Sequence, residues 1–64
     1  MISLFELYDT AIANELGVDI STYSDIINTK CSYWEGYYII SVFLTQDTNR
    51  MENAKNIFNS KLVN

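Results

Sequence analysis

Apolar residues recur at helical spacing in four stretches of this 64-residue chain. Residues three and four positions apart lie on one face of an α-helix, so each stretch predicts an amphipathic helix. The predicted helices span residues 4–16, 20–30, 33–46 and 50–62. The expected fold class is therefore all-α: one small helical domain over residues 1–64, built as a compact bundle of about four short helices.

Three of the predicted helices begin with the same local signal, in which a capping residue precedes a Glu by three positions. The pairs are Ser3–Glu6, Ser32–Glu35 and Asn49–Glu52. In a capping box, the hydroxyl and the carboxylate each satisfy a free backbone N–H of the first helical turn. Asn serves as the cap in the third pair. The repeated signal supports three helix starts.

The first connection also has a clear pattern. Gly17 predicts a left-handed residue just after the first helix, with Val18 as the hydrophobic contact that follows it. Asp19 or Ser21 then caps the second helix.

The third segment has two interpretations. Residues 36–44 are rich in aromatic and β-branched side chains, which strands favour. The Ser32–Glu35 capping box and the lack of a second strand-like segment favour a helix. A strand paired with a second chain stays open as the alternative.

An aromatic cluster gives the most informative functional signal. On a helix, Tyr33 and Tyr37 share one face, which we expect to point to the core, and Trp34 and Tyr38 share a neighbouring face. Tyr and Trp are enriched in interface hot spots, so the second face predicts a contact surface. The residues assigned to that interface are Trp34, Tyr38, Ser41 and Val42. The simpler interpretation is that these aromatic residues fill a small core.

Composition favours self-association. A chain of this length forms a marginal core and is commonly stabilised by disulfides, a metal or a partner chain. Cys31 is the single cysteine and histidine is absent, so a second chain is the best remaining candidate. We expect a homodimer or another homo-oligomer, with an unidentified protein partner as the other occupant of the surface.

The same composition argues against catalysis and metal binding. Cys31 has no histidine to act as its base, and carboxylate pairs such as Glu15 with Asp19 occur on most solvated helices. The oxygen-bearing residues from Asp19 onwards faintly resemble a calcium loop, but Ser24 and Lys30 stand where such a loop needs Gly and Glu. No catalytic residue, cofactor or metal is expected, and the chain is not expected to be an enzyme.

Charge is distributed unevenly along the chain. Residues 1–29 carry five acids and no base, whereas residues 30–64 carry four bases and three acids. The acids of the first half are Glu6, Asp9, Glu15, Asp19 and Asp25. Direct nucleic-acid binding is not expected, because it depends on basic residues and a helix-turn-helix reading of the second and third helices would have a recognition helix without Lys or Arg.

These observations lead to a small non-enzymatic protein–protein interaction or regulatory protein that acts as a homo-oligomer. The alternative is an acidic decoy that blocks a nucleic-acid-binding surface of another protein; its acids would form an array on one exposed face. The lone cysteine, the absence of an export signal and the absence of a membrane-spanning run suggest a cytoplasmic protein with no membrane partner. The Asn-, Ile- and Tyr-rich composition suggests a phage or AT-rich bacterial origin.

Overall fold

Four α-helices form the fold in the computed structural model, which describes the backbone of residues 4–62 and the side chains of residues 7–62. Helix α1 spans Leu4–Leu16 and α2 spans Ile20–Asp25, continuing into a π-helical turn at Ile26–Lys30. Helix α3 spans Tyr33–Leu44 and α4 spans Met51–Leu62. The predicted all-α bundle is confirmed, and the alternative of a strand over residues 36–44 is wrong because all of these residues lie in α3.

Helix α1 ends as the sequence predicts. Gly17 has φ of +79°, and its N–H donates to the Asn14 carbonyl at 3.1 Å. The Val18 N–H donates to the Ala13 carbonyl at 3.1 Å. These two bonds form a Schellman motif, in which a left-handed residue lets the chain turn back over the last helical carbonyls.

The second helical segment changes its hydrogen-bond spacing halfway along. Asp19 caps its start by accepting the Thr22 N–H at 3.3 Å. Further on, the Thr29 hydroxyl donates to the Asp25 carbonyl at 2.7 Å, and the Cys31 N–H donates to the Ile26 carbonyl five residues back. A side chain that bonds a helical carbonyl competes with the backbone ladder, which accounts for the wider π-helical turn.

Helix α3 begins with the predicted capping box. Ser32 N–H donates to Glu35 Oε1 at 2.8 Å, and Glu35 N–H donates to Ser32 Oγ at 3.2 Å. The helix ends two residues before the predicted end at residue 46. There the Thr45 hydroxyl donates to the Ser41 carbonyl at 2.7 Å, and Gln46 adopts a left-handed φ of 52°.

The start of α4 differs from the sequence prediction. Asp47 Oδ1, not the Asn49 side chain, accepts the N–H groups of Asn49 and Arg50, at 3.2 and 3.3 Å. The Arg50 carbonyl accepts the first helical bond, from Ala54, so the helix begins one residue later than expected. Asp47 is two residues closer to the end of α3 and already has the geometry of an Asx turn. The predicted Ser3–Glu6 box lies outside the described side chains.

The core is formed by small and aliphatic side chains around two stacked aromatic rings. Tyr23 and Phe58 stack with centroids 6.0 Å apart, and both are buried. The buried hydrophobic residues are Ile12, Ala13, Tyr23, Ile26, Ile39, Val42, Phe43, Ala54 and Phe58. Helix α3 supplies the central contribution, packing against α4 and α1.

Candidate interaction surface

One face of α3 carries apolar side chains that the bundle leaves uncovered. Tyr33, Tyr37, Ile40 and Leu44, called here the α3 stripe, follow one another at spacings of four, three and four residues. Tyr33 is 78% exposed, Tyr37 60% and Leu44 41%, while Ile40 is half-buried. This spacing is that of the a and d positions of a coiled coil, where one helix packs along another.

The expectation that Tyr33 and Tyr37 face the core is wrong. The face of α3 that packs inward carries Gly36, Ile39 and Phe43. Gly36 faces Ile27 at ordinary packing distance, since a Cβ placed there would lie 3.7 Å from Cγ2 of Ile27. Tyr33 and Tyr37 lie roughly 60–100° around the helix from Gly36, beside the buried face, where the bundle leaves them exposed.

The four residues predicted as an interface lie in different environments. Trp34 is 74% exposed, next to the stripe. Tyr38 and Ser41 are half-buried, and Tyr38 packs against the core. Val42 is only 3% exposed and belongs to the core, so it is not part of the exposed surface. Helices α1 and α4 cover the side of α3 on which Val42 lies, because an almost wholly apolar helix must bury one of its faces.

Sequence reasoning missed Ile40 and Leu44 as surface residues, although one signal was present. This signal is the heptad spacing of Tyr33, Tyr37, Ile40 and Leu44.

The exposed aromatic rings contact one another. Tyr33 and Tyr37 stack with centroids 6.4 Å apart, and Trp34 meets the Tyr33 ring edge-on at 5.7 Å. Such ring pairs limit the rotamers of side chains that would otherwise move freely in water. The exposed aromatic surface is therefore partly ordered.

A groove runs beside the stripe, between α3 and the π-helical turn. Its volume is about 460 Å³. It is lined by Ile27, Asn28, Cys31, Gly36, Tyr37 and Ile40, together with the start of α3. Gly36 lies buried at the floor beside Ile27, and the wider π-helical turn supplies one wall. The groove and the stripe therefore form one continuous, mainly apolar surface.

Charged groups lie to one side of this surface. Glu35 Oε2 and Lys61 Nζ form an ion pair at 2.9 Å that links α3 to α4. The backbone hydrogen bond from Ser32, together with Lys61, lowers the pKa of the Glu35 carboxyl. Residues 36–46 include no charged side chain.

Burial and the nearby Glu35 raise the pKa of the Cys31 thiol, which keeps it protonated and poorly reactive at neutral pH.

The acids of the first half point into separate local environments. Asp9 accepts the Tyr23 hydroxyl at 3.4 Å, and Asp19 caps α2. Asp25 accepts the Thr29 hydroxyl at 3.4 Å, while Glu15 lines a small cavity between α1 and the end of α3. The Glu6 side chain lies outside the described part. The four described acids therefore have different local partners, and no three of them gather in one cluster.

In the part of the chain that the structure describes, no three His, Cys, Asp or Glu side chains gather as a metal site would require. Within residues 4–62, no helix combines the length and the apolar character needed to cross a bilayer. No protein-family model, curated protein or solved structure matches this chain.

Proposed function

We propose that this protein is a small non-enzymatic interaction protein of the cytoplasm that works as a homodimer, pairing two copies through the α3 stripe. The observation that carries the proposal is the uncovered stripe of Tyr33, Tyr37, Ile40 and Leu44 at heptad spacing. The lone, poorly reactive Cys31 fits a reducing compartment.

A second copy is the occupant that the stripe fits best. Two helices with the same heptad spacing match each other's knobs and holes in register, so identical stripes are self-complementary. Because residues 36–46 carry no charge, they favour a partner whose contact surface is also uncharged. Charged groups of a partner would lose their hydration in this contact without gaining an ion pair.

The area is also adequate for a dimer. The exposed parts of Tyr33, Trp34 and Tyr37 amount to roughly 400 Å² per chain. Pairing two copies then removes about 800 Å² from water before Ile40, Leu44 and the groove are counted. Specific interfaces begin near about 1,000 Å² in total, so we expect a dissociation constant on the order of micromolar.

The alternative of an acidic decoy has less support. Asp9, Asp19 and Asp25 already accept local hydrogen bonds, and Glu15 lies beside a different helix. A protein that imitates nucleic acid needs a regular array of exposed negative charges, like the phosphates that it replaces. The scattered placement instead favours a solubilising role for these acids.

The test is the molar mass by light scattering during size exclusion, with the chain loaded at about 1 μM to several hundred micromolar. We expect the molar mass to rise with concentration, from 7.4 kDa for the monomer to twice that value for the dimer. Tyr37→Glu places a charge on the stripe and should keep the chain monomeric. Leu7→Glu is a matched control, since Leu7 is 56% exposed but lies on α1. A folded wild-type chain that stays monomeric throughout would refute the proposal.

A further inference from the structure

Trp34 and the groove lie on opposite flanks of the α3 stripe. Counting about 100° of rotation per residue, Trp34 lies roughly 60° from Tyr37 on one side, and Gly36, on the groove floor, lies about 100° from Tyr37 on the other. Trp34 is 74% exposed and contacts the edge of Tyr33, so most of its indole surface faces water.

A parallel two-fold arrangement of the α3 helices brings these flanks together, whereas an antiparallel one would pair like flanks. When two copies of α3 run parallel about an axis between them, the left flank of one helix meets the right flank of the other. Each Trp34 then faces the groove of the second copy, twice in one dimer. This inference rests on the proposed function, because it requires the second copy to pair through the stripe.

The groove suits an indole ring in size and chemistry. Its volume of about 460 Å³ is within the range of cavities that hold small organic molecules. Ile27, Ile40 and the Tyr37 ring offer apolar walls against which a flat ring can pack. The Asn28 side chain lines the same groove and carries an amide oxygen that is able to accept the indole N–H.

We propose that the groove between α3 and the π-helical turn binds the indole of the partner's Trp34 and that this contact anchors the homodimer. The contact is reciprocal and closed: both grooves are filled and none is left to extend the assembly into a filament. A buried aromatic anchor in a pocket is the usual form of an interface hot spot.

Trp34 is the single tryptophan of the chain, so the tryptophan emission comes from this indole alone. With the mass measured on the same samples, we expect dimerisation to shift the emission to shorter wavelength and to protect the indole from acrylamide. Trp34→Ala should weaken the dimer at least tenfold, whereas Trp34→Phe should weaken it less. The monomeric Tyr37→Glu chain serves as the control and should keep an exposed emission at every concentration.

The possible results separate the two proposals. A dimer whose Trp34 emission is unchanged and whose affinity survives Trp34→Ala overturns the groove contact and leaves the stripe dimer standing. A folded chain that never dimerises overturns both. A dimer with protected Trp34, weakened equally by Trp34→Ala and by Asn28→Phe, which places a ring in the groove from its exposed wall, supports the groove contact; circular dichroism checks that both variants remain helical.

Discussion

The rings of Tyr33 and Tyr37 stack on the outside of α3, with centroids 6.4 Å apart and planes inclined by 18°. Both rings remain mostly exposed, although a chain this small has few large apolar side chains to spare for its surface. An ordered, uncharged aromatic surface of this kind marks an interaction site more often than chance exposure. The stacked pair therefore links the architecture of the bundle to its proposed role as a homodimer.

The capping box at the start of α3 should contribute measurably to stability. Ser32→Ala removes the hydroxyl that accepts the Glu35 N–H, and we expect a loss of about 1 kcal/mol in the free energy of unfolding. Urea unfolding followed by circular dichroism measures this, at one chain concentration because dimerisation adds stability by mass action. Ser24→Ala, inside α2, is the control and should change stability by less than about 0.5 kcal/mol. Equal effects of the two substitutions would show that the cap is not important.

The left-handed residue at the end of α3 is a place where the chain is strained. Gln46 has φ of 52°, and its N–H and that of Asp47 donate to Phe43 and Val42 as in a Schellman motif. Glycine adopts this conformation without the steric cost of a Cβ, so Gln46→Gly should raise stability by about 0.5–1 kcal/mol.

Gly17 provides the opposite substitution for this experiment. It has the same role after α1, with φ of +79°, and a Cβ there would meet no atom within 4 Å. Gly17→Ala should therefore lower stability by about 1 kcal/mol through the backbone alone. The comparison is contradicted if Gln46→Gly destabilises the chain as Gly17→Ala does.

Alkaline pH should destabilise the fold through Tyr23. Burial, and then the nearby Asp9 carboxylate, raises the pKa of this phenol well above its usual value of about 10. Above about pH 10 the unfolded chain releases this proton and the folded chain keeps it, so the free energy of unfolding falls, by at most about 1.4 kcal/mol per pH unit. Denaturant unfolding from pH 8 upwards measures the slope.

Two variants isolate the part due to Tyr23. With Tyr23→Phe, the free energy of unfolding should fall less steeply as the pH rises. Near neutral pH this substitution should lower the free energy of unfolding by less than about 1 kcal/mol, because the hydrogen bond to Asp9 is long at 3.4 Å. Cys31→Ser removes the thiol, whose raised pKa acts in the same direction. An alkaline decline that Tyr23→Phe leaves as steep as before would refute the assignment.

Local signals in the sequence account for most of the fold. Gly17, Asp19 and the Ser32–Glu35 pair act where their chemistry predicts, because turns and caps depend on neighbouring residues alone. The start of α4 was less predictable, since Asp47 and Asn49 are both good turn residues and compete for the same N–H groups.

The orientation of α3 could not be predicted from its own pattern. A helix that is apolar nearly all round has no polar side to define its outer face. Which face is buried depends on the neighbours, and here they bury Gly36, Ile39, Val42 and Phe43. The prediction that Tyr33 and Tyr37 face the core is therefore wrong, while Trp34 is exposed and its place in a contact surface stays a prediction.

Disulfide trapping tests the pairing of two α3 stripes most directly. In a Cys31→Ser background, Tyr37→Cys places a thiol near the middle of the stripe, and Leu7→Cys places one at a similarly exposed site on α1. Residues near a two-fold axis approach their own copies, within the reach of a disulfide. We expect mild oxidation at micromolar concentration to convert the Tyr37→Cys chain to a covalent dimer and to leave the Leu7→Cys chain monomeric on a non-reducing gel. Equal rates of cross-linking at the two sites would contradict the pairing of the α3 stripes.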